Sequence, residues 1–81
     1  MKIKNWEKKI DNELFIVWFN KDSKEKISLF KKGTRKMPKN TVWIEDVEEG
    51  SNYAMTIKKS SFSNLEQALK YTYAYMKAHL R

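Results

Sequence analysis

The sequence predicts an α+β fold: an antiparallel sheet of four to five strands packed on one C-terminal α-helix, about residues 63–80. Three observations predict it. Short runs rich in β-branched and aromatic residues, bounded by turn residues, recur through the first 60 residues. From Ser63 the apolar period lengthens from two to about 3.6 residues. No linker, repeat or low-complexity stretch separates the two parts, so 1–81 reads as one small domain with a strand-rich body (1–60) and a helix (63–80).

The elements follow in order. Ile3 to Lys8 is a short first strand. Leu14 to Asn20 lies between Asp11-Asn12 and Asn20-Lys21-Asp22-Ser23, which are turn chemistries. Glu25 to Lys31 alternates, with Ile27 and Leu29 against Ser28 and Phe30, so 14–20 and 25–31 make an antiparallel hairpin. Thr41 to Asp46 and Asn52 to Lys59 make a second hairpin around Glu48-Glu49-Gly50-Ser51, where Gly50 supplies the positive φ. Pro38, the sole proline, falls between the hairpins, where it removes no ladder hydrogen bond.

Ser63-Asn64-Leu65-Glu66 has the form of a capping box, with Ser63 accepting from an early backbone N–H and Glu66 reaching back. At about 100° per residue, Tyr75, Ala68, His79, Thr72, Leu65, Met76, Leu69, Leu80 and Tyr73 share one side of the helix. Glu66, Lys77, Lys70, Arg81 and Gln67 share the other. Glu66 precedes Lys70 by four, the favourable order for a helical ion pair, and Arg81 suits the negative end of the dipole.

Composition narrows the function. With 41% apolar residues, three Trp, four Tyr and four Phe, the 81-residue chain can bury a core and is too hydrophobic for a disordered tail. Without cysteine it has neither a disulfide framework nor a thiolate zinc site. The longest apolar run, Leu14 to Phe19, is too short for a membrane span, and the N-terminus lacks an apolar signal core. A cytoplasmic protein that does not engage membranes is the expectation.

Charge is distributed unevenly. Residues 1–40 carry twelve Lys/Arg against five Asp/Glu, a net of +7, whereas residues 41–81 balance at five each. The excess peaks in Lys31-Lys32-Gly33-Thr34-Arg35-Lys36-Met37-Pro38-Lys39, five cations in nine residues without an acid. Such a loop attracts polyanions by counterion release, whatever their sequence. Lys31, Lys32, Arg35, Lys36 and Lys39 are the candidate phosphate contacts, with Gly33 and Thr34 offering backbone N–H and hydroxyl donors. Lys2, Lys4, Lys8 and Lys9 are candidate auxiliaries. Five contacts on a duplex would give a log K against log salt slope of roughly −4 to −5. The bland alternative is a solvated loop that keeps the protein soluble.

A second candidate comes from strand alternation. Leu14, Ile16 and Trp18 point to one side of their strand, and Phe15, Val17 and Phe19 to the other. One helix covers one face, so Phe15, Val17 and Phe19, joined by Phe30 and Trp43, form an uncovered apolar face. Its expected uses are a homodimer interface, a protein-partner surface, a closed core if the sheet curls, or a platform on which unpaired bases stack. The run from Leu14 to Phe19 has no interleaved Lys or Arg, which favours the non-nucleic-acid uses.

Other polar groups carry no chemistry by pattern. Glu45, Asp46, Glu48 and Glu49 do not resemble a calcium loop, and no histidine supports a transition metal there. His79, the sole histidine, sits at the edge of the helix's apolar side with no nucleophile or orienting acid placed beside it. Tyr71, Tyr73 and Tyr75, spaced by two, scatter around the helix, with Tyr71 off the apolar stripe. Glycine-rich phosphate loops, zincin helices and nucleophile elbows are absent. No enzyme activity, cofactor, metal or small-molecule substrate is expected.

Phe62-Ser63-Asn64-Leu65-Glu66-Gln67-Ala68 after a run of strands resembles the sheet-to-helix junction of three-strand-plus-helix DNA-binding domains, the ethylene-responsive-factor and recombinase arm-binding type. It is equally similar to small uncharacterised archaeal strand-rich proteins ending in a capped helix. In the DNA-binding group, strand arginines and tryptophans read the major groove. Here the central strand is apolar, and only Trp6, Trp18 or Trp43 is available for the aromatic part, so no functional residue carries over. The overall expectation is a small basic, non-enzymatic domain that binds DNA or RNA weakly through loop 31–39. The alternative is a protein-interaction or homodimerisation module built on the aromatic face.

Overall fold

The computed structural model describes residues 3–47 and 54–79. Five strands form one antiparallel sheet in sequence order: β1 (Trp6–Asp11), β2 (Phe15–Asn20), β3 (Glu25–Phe30), β4 (Thr41–Val47) and β5 (Ala54–Ser61). The helix α1 (Leu65–Ala78) crosses one face. The α+β class is therefore as the sequence predicts. The turn around Gly50, with Glu48 and Glu49, lies outside the described residues, as do Lys2, Leu80 and Arg81.

Alternation fixes which face the helix covers. Ile16 pairs with Leu29 and Leu29 with Val42, while Trp18 pairs with Ile27 and Ile27 with Ile44. All six are buried on the helix side, where Ala68 and Met76 meet them. Trp18 packs edge-on against Tyr73, and Trp6 against Tyr75. Burial of this apolar surface is the main favourable term for folding. The opposite side of β2, Phe15, Val17 and Phe19, is only half-buried.

Several boundaries differ from the sequence expectation, each for a physical reason. β1 begins three residues later than Ile3, because the chain first makes a turn in which Trp6 N–H donates to the Ile3 carbonyl and Asn5 adopts a φ of 68°. Lys9 is an extra residue in β1: Lys8 pairs with Trp18, but Ile10 already pairs with Val17. This bulge moves Ile10 onto the uncovered face. Ile57 is likewise an extra residue in β5, between the pairs Ile44–Lys58 and Glu45–Thr56.

The helix cap is displaced by one position. Asn64, not Ser63, is the N-cap, and its Oδ1 accepts from Gln67 N–H at 2.9 Å. Ser63 instead donates its hydroxyl to Gln67 Oε1 at 3.0 Å. Asparagine caps as well as serine, and extended backbone at Asn64 (φ −150°) aims its side chain at the orphan N–H. The Glu66–Lys70 pair does not form among the described residues, and Leu65 is 37% exposed instead of facing the core.

The far end of the helix is tied to the sheet by polar contacts. The His79 carbonyl accepts from Trp6 Nε1 at 2.8 Å and from Asn20 Nδ2 at 3.3 Å, satisfying a terminal helix carbonyl. Asn20, fully buried, uses its Oδ1 to accept from Asp22 and Ser23 N–H, forming the β2–β3 turn. Among the described residues no buried side-chain nitrogen or oxygen lacks a partner.

Candidate nucleic-acid interface

The basic loop joins β3 to β4 and is folded back on itself. Thr34 N–H donates to the Met37 carbonyl at 2.7 Å, and Met37 N–H donates to Thr34 Oγ1 at 3.1 Å. This reciprocal pair leaves Arg35 and Lys36 at the tip. Met37 is buried and anchors the tip, an apolar role that its basic neighbours conceal in the sequence. Gly33 lies against the returning chain: a Cβ there would stand 3.0 Å from Lys39 N and 3.3 Å from the Met37 carbonyl oxygen. Asn40, buried with a φ of 61°, closes the loop by donating to the Phe30 carbonyl and accepting from Phe62 N–H. Thr41 Oγ1 donates to the Pro38 carbonyl at 2.7 Å.

The five candidate cations divide into two groups. Lys31 Nζ is 3.0 Å from Asp11 Oδ1, and Lys32 Nζ is 4.0 Å from Glu13 Oε2. Asp11 ends β1 and Glu13 lies in the β1–β2 turn, which the sheet brings alongside the loop. The hydrogen bond from Lys31, with a second from Lys8, holds the Asp11 carboxyl below its usual range, so it stays ionised at neutral pH. Arg35, Lys36 and Lys39 are exposed and have no carboxylate within ion-pair distance among the described residues. Thr34, expected to offer donors, has its N–H committed to the Met37 carbonyl.

The auxiliary lysines are also partly committed. Lys8 pairs with Asp11 at 3.3 Å and Lys9 with Glu7 at 3.2 Å. Lys4 is exposed, and Lys2 lies outside the described residues. Among the described residues, the loop's positive charge without a carboxylate partner is therefore that of Arg35, Lys36 and Lys39.

The uncovered face adjoins this loop. Phe15 pairs across the sheet with Phe30, the residue immediately before Lys31, with ring centroids 6.2 Å apart. Phe30 in turn lies 6.4 Å from Trp43, with the ring planes inclined by 32°. Phe15, Val17, Phe19, Phe30 and Trp43 all occupy the side opposite the helix. The face is not purely apolar. Lys59, paired with Trp43, holds its ammonium 4.9 Å from the indole centroid, and Trp43 Nε1 donates to Thr56 Oγ1 at 3.0 Å. Lys26 stands beside Phe19 and lies 3.7 Å from Glu45.

Lys26 and Lys59 are what sequence reading missed. Cations need not interleave along β2 itself: on a sheet they arrive from neighbouring strands. The hairpin read from Thr41–Asp46 and Asn52–Lys59 sets Met55, Thr56 or Ile57 opposite Trp43; Lys59 arrives there because β5 starts at Ala54 and Ile57 is bulged.

The remaining candidates serve structure. His79 stacks on Tyr75 with centroids 3.9 Å apart, and its Nδ1 lies 2.8 Å from the Tyr75 carbonyl. Tyr75 donates its hydroxyl to Glu25 Oε2 at 2.5 Å. Burial first, then that bond to a carboxylate, push the phenol above its ordinary value. Tyr71 is not off the packed surface as expected: its ring lies 5.1 Å from Phe62, with Lys58 Nζ 5.5 Å from its centroid. The β5–α1 connection carries Phe62 alongside it. No cluster of three His, Cys, Asp or Glu able to hold a metal ion occurs among the described residues, and no helix there is long and apolar enough to cross a membrane. No known protein family, curated protein or solved structure matches the chain.

Proposed function

We propose that this is a non-enzymatic cytoplasmic domain that binds nucleic acid weakly and without regard to sequence, through phosphates reached by Arg35, Lys36 and Lys39. One observation carries the reading: a loop folded on its own hydrogen bonds presents three exposed cations, held away from protein carboxylates, beside a half-exposed aromatic face. Contacts of this kind give affinity by releasing counterions and carry no base information. Lys31 and Lys32 contribute less, because phosphate must compete with Asp11 and Glu13 for them.

The test is fluorescence anisotropy of a labelled oligonucleotide at about 50 mM salt, where a few phosphate contacts are measurable. Replacing Arg35, Lys36 and Lys39 with Gln removes most binding without unfolding the domain. Replacing Lys31 and Lys32 with Gln removes less. Affinity that survives in the first variant rejects the loop as the interface.

An assembly role for the uncovered face has its own support. Ile10, 41% exposed, extends the apolar surface next to Val17, and Leu14, 54% exposed, precedes Phe15 in the chain. Sedimentation across a concentration series tests it: a dimer that dissociates on replacing Ile10 and Leu14 with Ser assigns those residues to self-association, and a monomer at all concentrations removes that reading.

A further inference from the structure

We infer that the uncovered face is a stacking track for unpaired bases, so that the domain selects single strands over duplexes. The inference rests on the nucleic-acid reading of the loop and adds to it the class of nucleic acid.

The track is defined by rings and charge together. Phe15, Phe30 and Trp43 follow one another at 6.2 and 6.4 Å across β2, β3 and β4. Phe30 immediately precedes the basic loop, which puts the rings at the end of the sheet from which Arg35 and Lys36 extend. The indole of Trp43 is fixed in orientation by its bond to Thr56 Oγ1, which reduces the ordering cost of placing a base on it.

Charge gives the track a direction. At the Trp43 end stands Lys59, whose ammonium rests over the indole with no carboxylate partner among the described residues. At the Phe19 end stands the mostly buried Glu45, which shares Lys26 and repels phosphate. A polyanion is therefore drawn along the loop, Phe30, Trp43 and Lys59 and away from Phe19. This charge pattern favours a nucleic-acid strand over a second copy of the chain, which would bring its own net positive charge to the same face.

Lys59 does not block the site. An exposed cation over an indole is worth about 2- to 5-fold in an equilibrium constant, whereas a base stacked on an aromatic ring is worth about 5- to 150-fold. The base therefore displaces the ammonium, which moves to the adjacent phosphate and keeps an anionic partner. A duplex gains nothing from the rings, because its bases are already stacked and only its backbone reaches the protein.

The experiment compares a labelled single-stranded oligonucleotide with its duplex at one salt concentration, for the wild type and for variants confirmed as folded by circular dichroism. The wild type binds the single strand at least 5-fold more tightly. The double variant Trp43→Leu with Phe30→Leu loses that preference but keeps its duplex affinity, and Trp43→Phe retains the preference. Titration with single strand quenches tryptophan fluorescence in the wild type and much less in Trp43→Phe, a readout that does not depend on the double variant folding. Equal affinity for the two forms, or a preference unchanged in the double variant, overturns the track and leaves the loop reading intact. Binding of neither form overturns both. A dimer that buries Trp43 and excludes the single strand also overturns the track.

Discussion

Replacing Gly33 with Ala tests whether the basic loop has the compact form on which its proposed function depends. Gly33 does not adopt a left-handed φ, so the substitution carries no conformational strain of its own. Alanine also restricts the unfolded chain, which by itself would stabilise the domain by about 0.4–1 kcal/mol. Opposing this, the new Cβ stands 3.0 Å from Lys39 N and 3.3 Å from the Met37 carbonyl oxygen, both backbone atoms. Neither yields easily, because Met37 is bonded twice to Thr34 and Pro38 is held by Thr41. Overpacking a fixed site costs about 1–3 kcal/mol. The steric cost wins, for a net loss of about 1 kcal/mol, or about 4–8 °C in Tm for a domain of this size. The assay is thermal unfolding followed by circular dichroism, alongside oligonucleotide affinity, which falls as Arg35 and Lys36 are displaced. An unchanged or raised Tm would show that the loop is not folded back on itself, and the reasoning would fail.

Two further predictions concern the ties between helix and sheet. Asn20→Ala leaves Asp22 and Ser23 N–H without their acceptor and removes a donor to the His79 carbonyl, and it destabilises the domain by about 2 kcal/mol in urea unfolding. Tyr75→Phe costs about 1 kcal/mol by removing the bond to Glu25. Because the folded phenol titrates above its ordinary value of about 10, its contribution is intact below that pH and is lost as pH rises beyond it. The wild type therefore shows an alkaline loss of stability that is smaller in Tyr75→Phe, and spectrophotometric titration of the variant lacks a phenolate step above pH ~10.

The legible parts of this chain were those set by short-range pattern. Ile27 and Leu29 revealed their strand by alternation, Ile16 and Trp18 theirs by a β-branched and aromatic run between turn residues, and Ala68, Thr72 and Met76 revealed the buried stripe of the helix by spacing of four. What was not legible depends on pairs distant in sequence. Asn20 looked like a turn residue, which it is, but nothing local shows that it reaches His79, 59 positions away. The bulges at Lys9 and Ile57 break strict alternation, and only the partner strand identifies the extra residue. For the candidate interface, the loop was visible as a charge run, whereas the engagement of Lys31 and Lys32 by Asp11 and Glu13 required the turn and the loop to share one end of the sheet. Met37 was hidden for a similar reason, since one apolar residue among cations has no period.

The salt dependence of single-strand binding tests the central claim most directly. With Arg35, Lys36 and Lys39 as contacts and Lys59 as a fourth, log K falls against log salt with a slope of about −2 to −3. Between 50 and 200 mM salt that is about a 16- to 64-fold loss of affinity. Replacing the three loop cations with Gln flattens the slope by about 2 units. A slope that the triple variant leaves unchanged, or binding that does not respond to salt, would contradict the assignment of phosphate contacts to this loop.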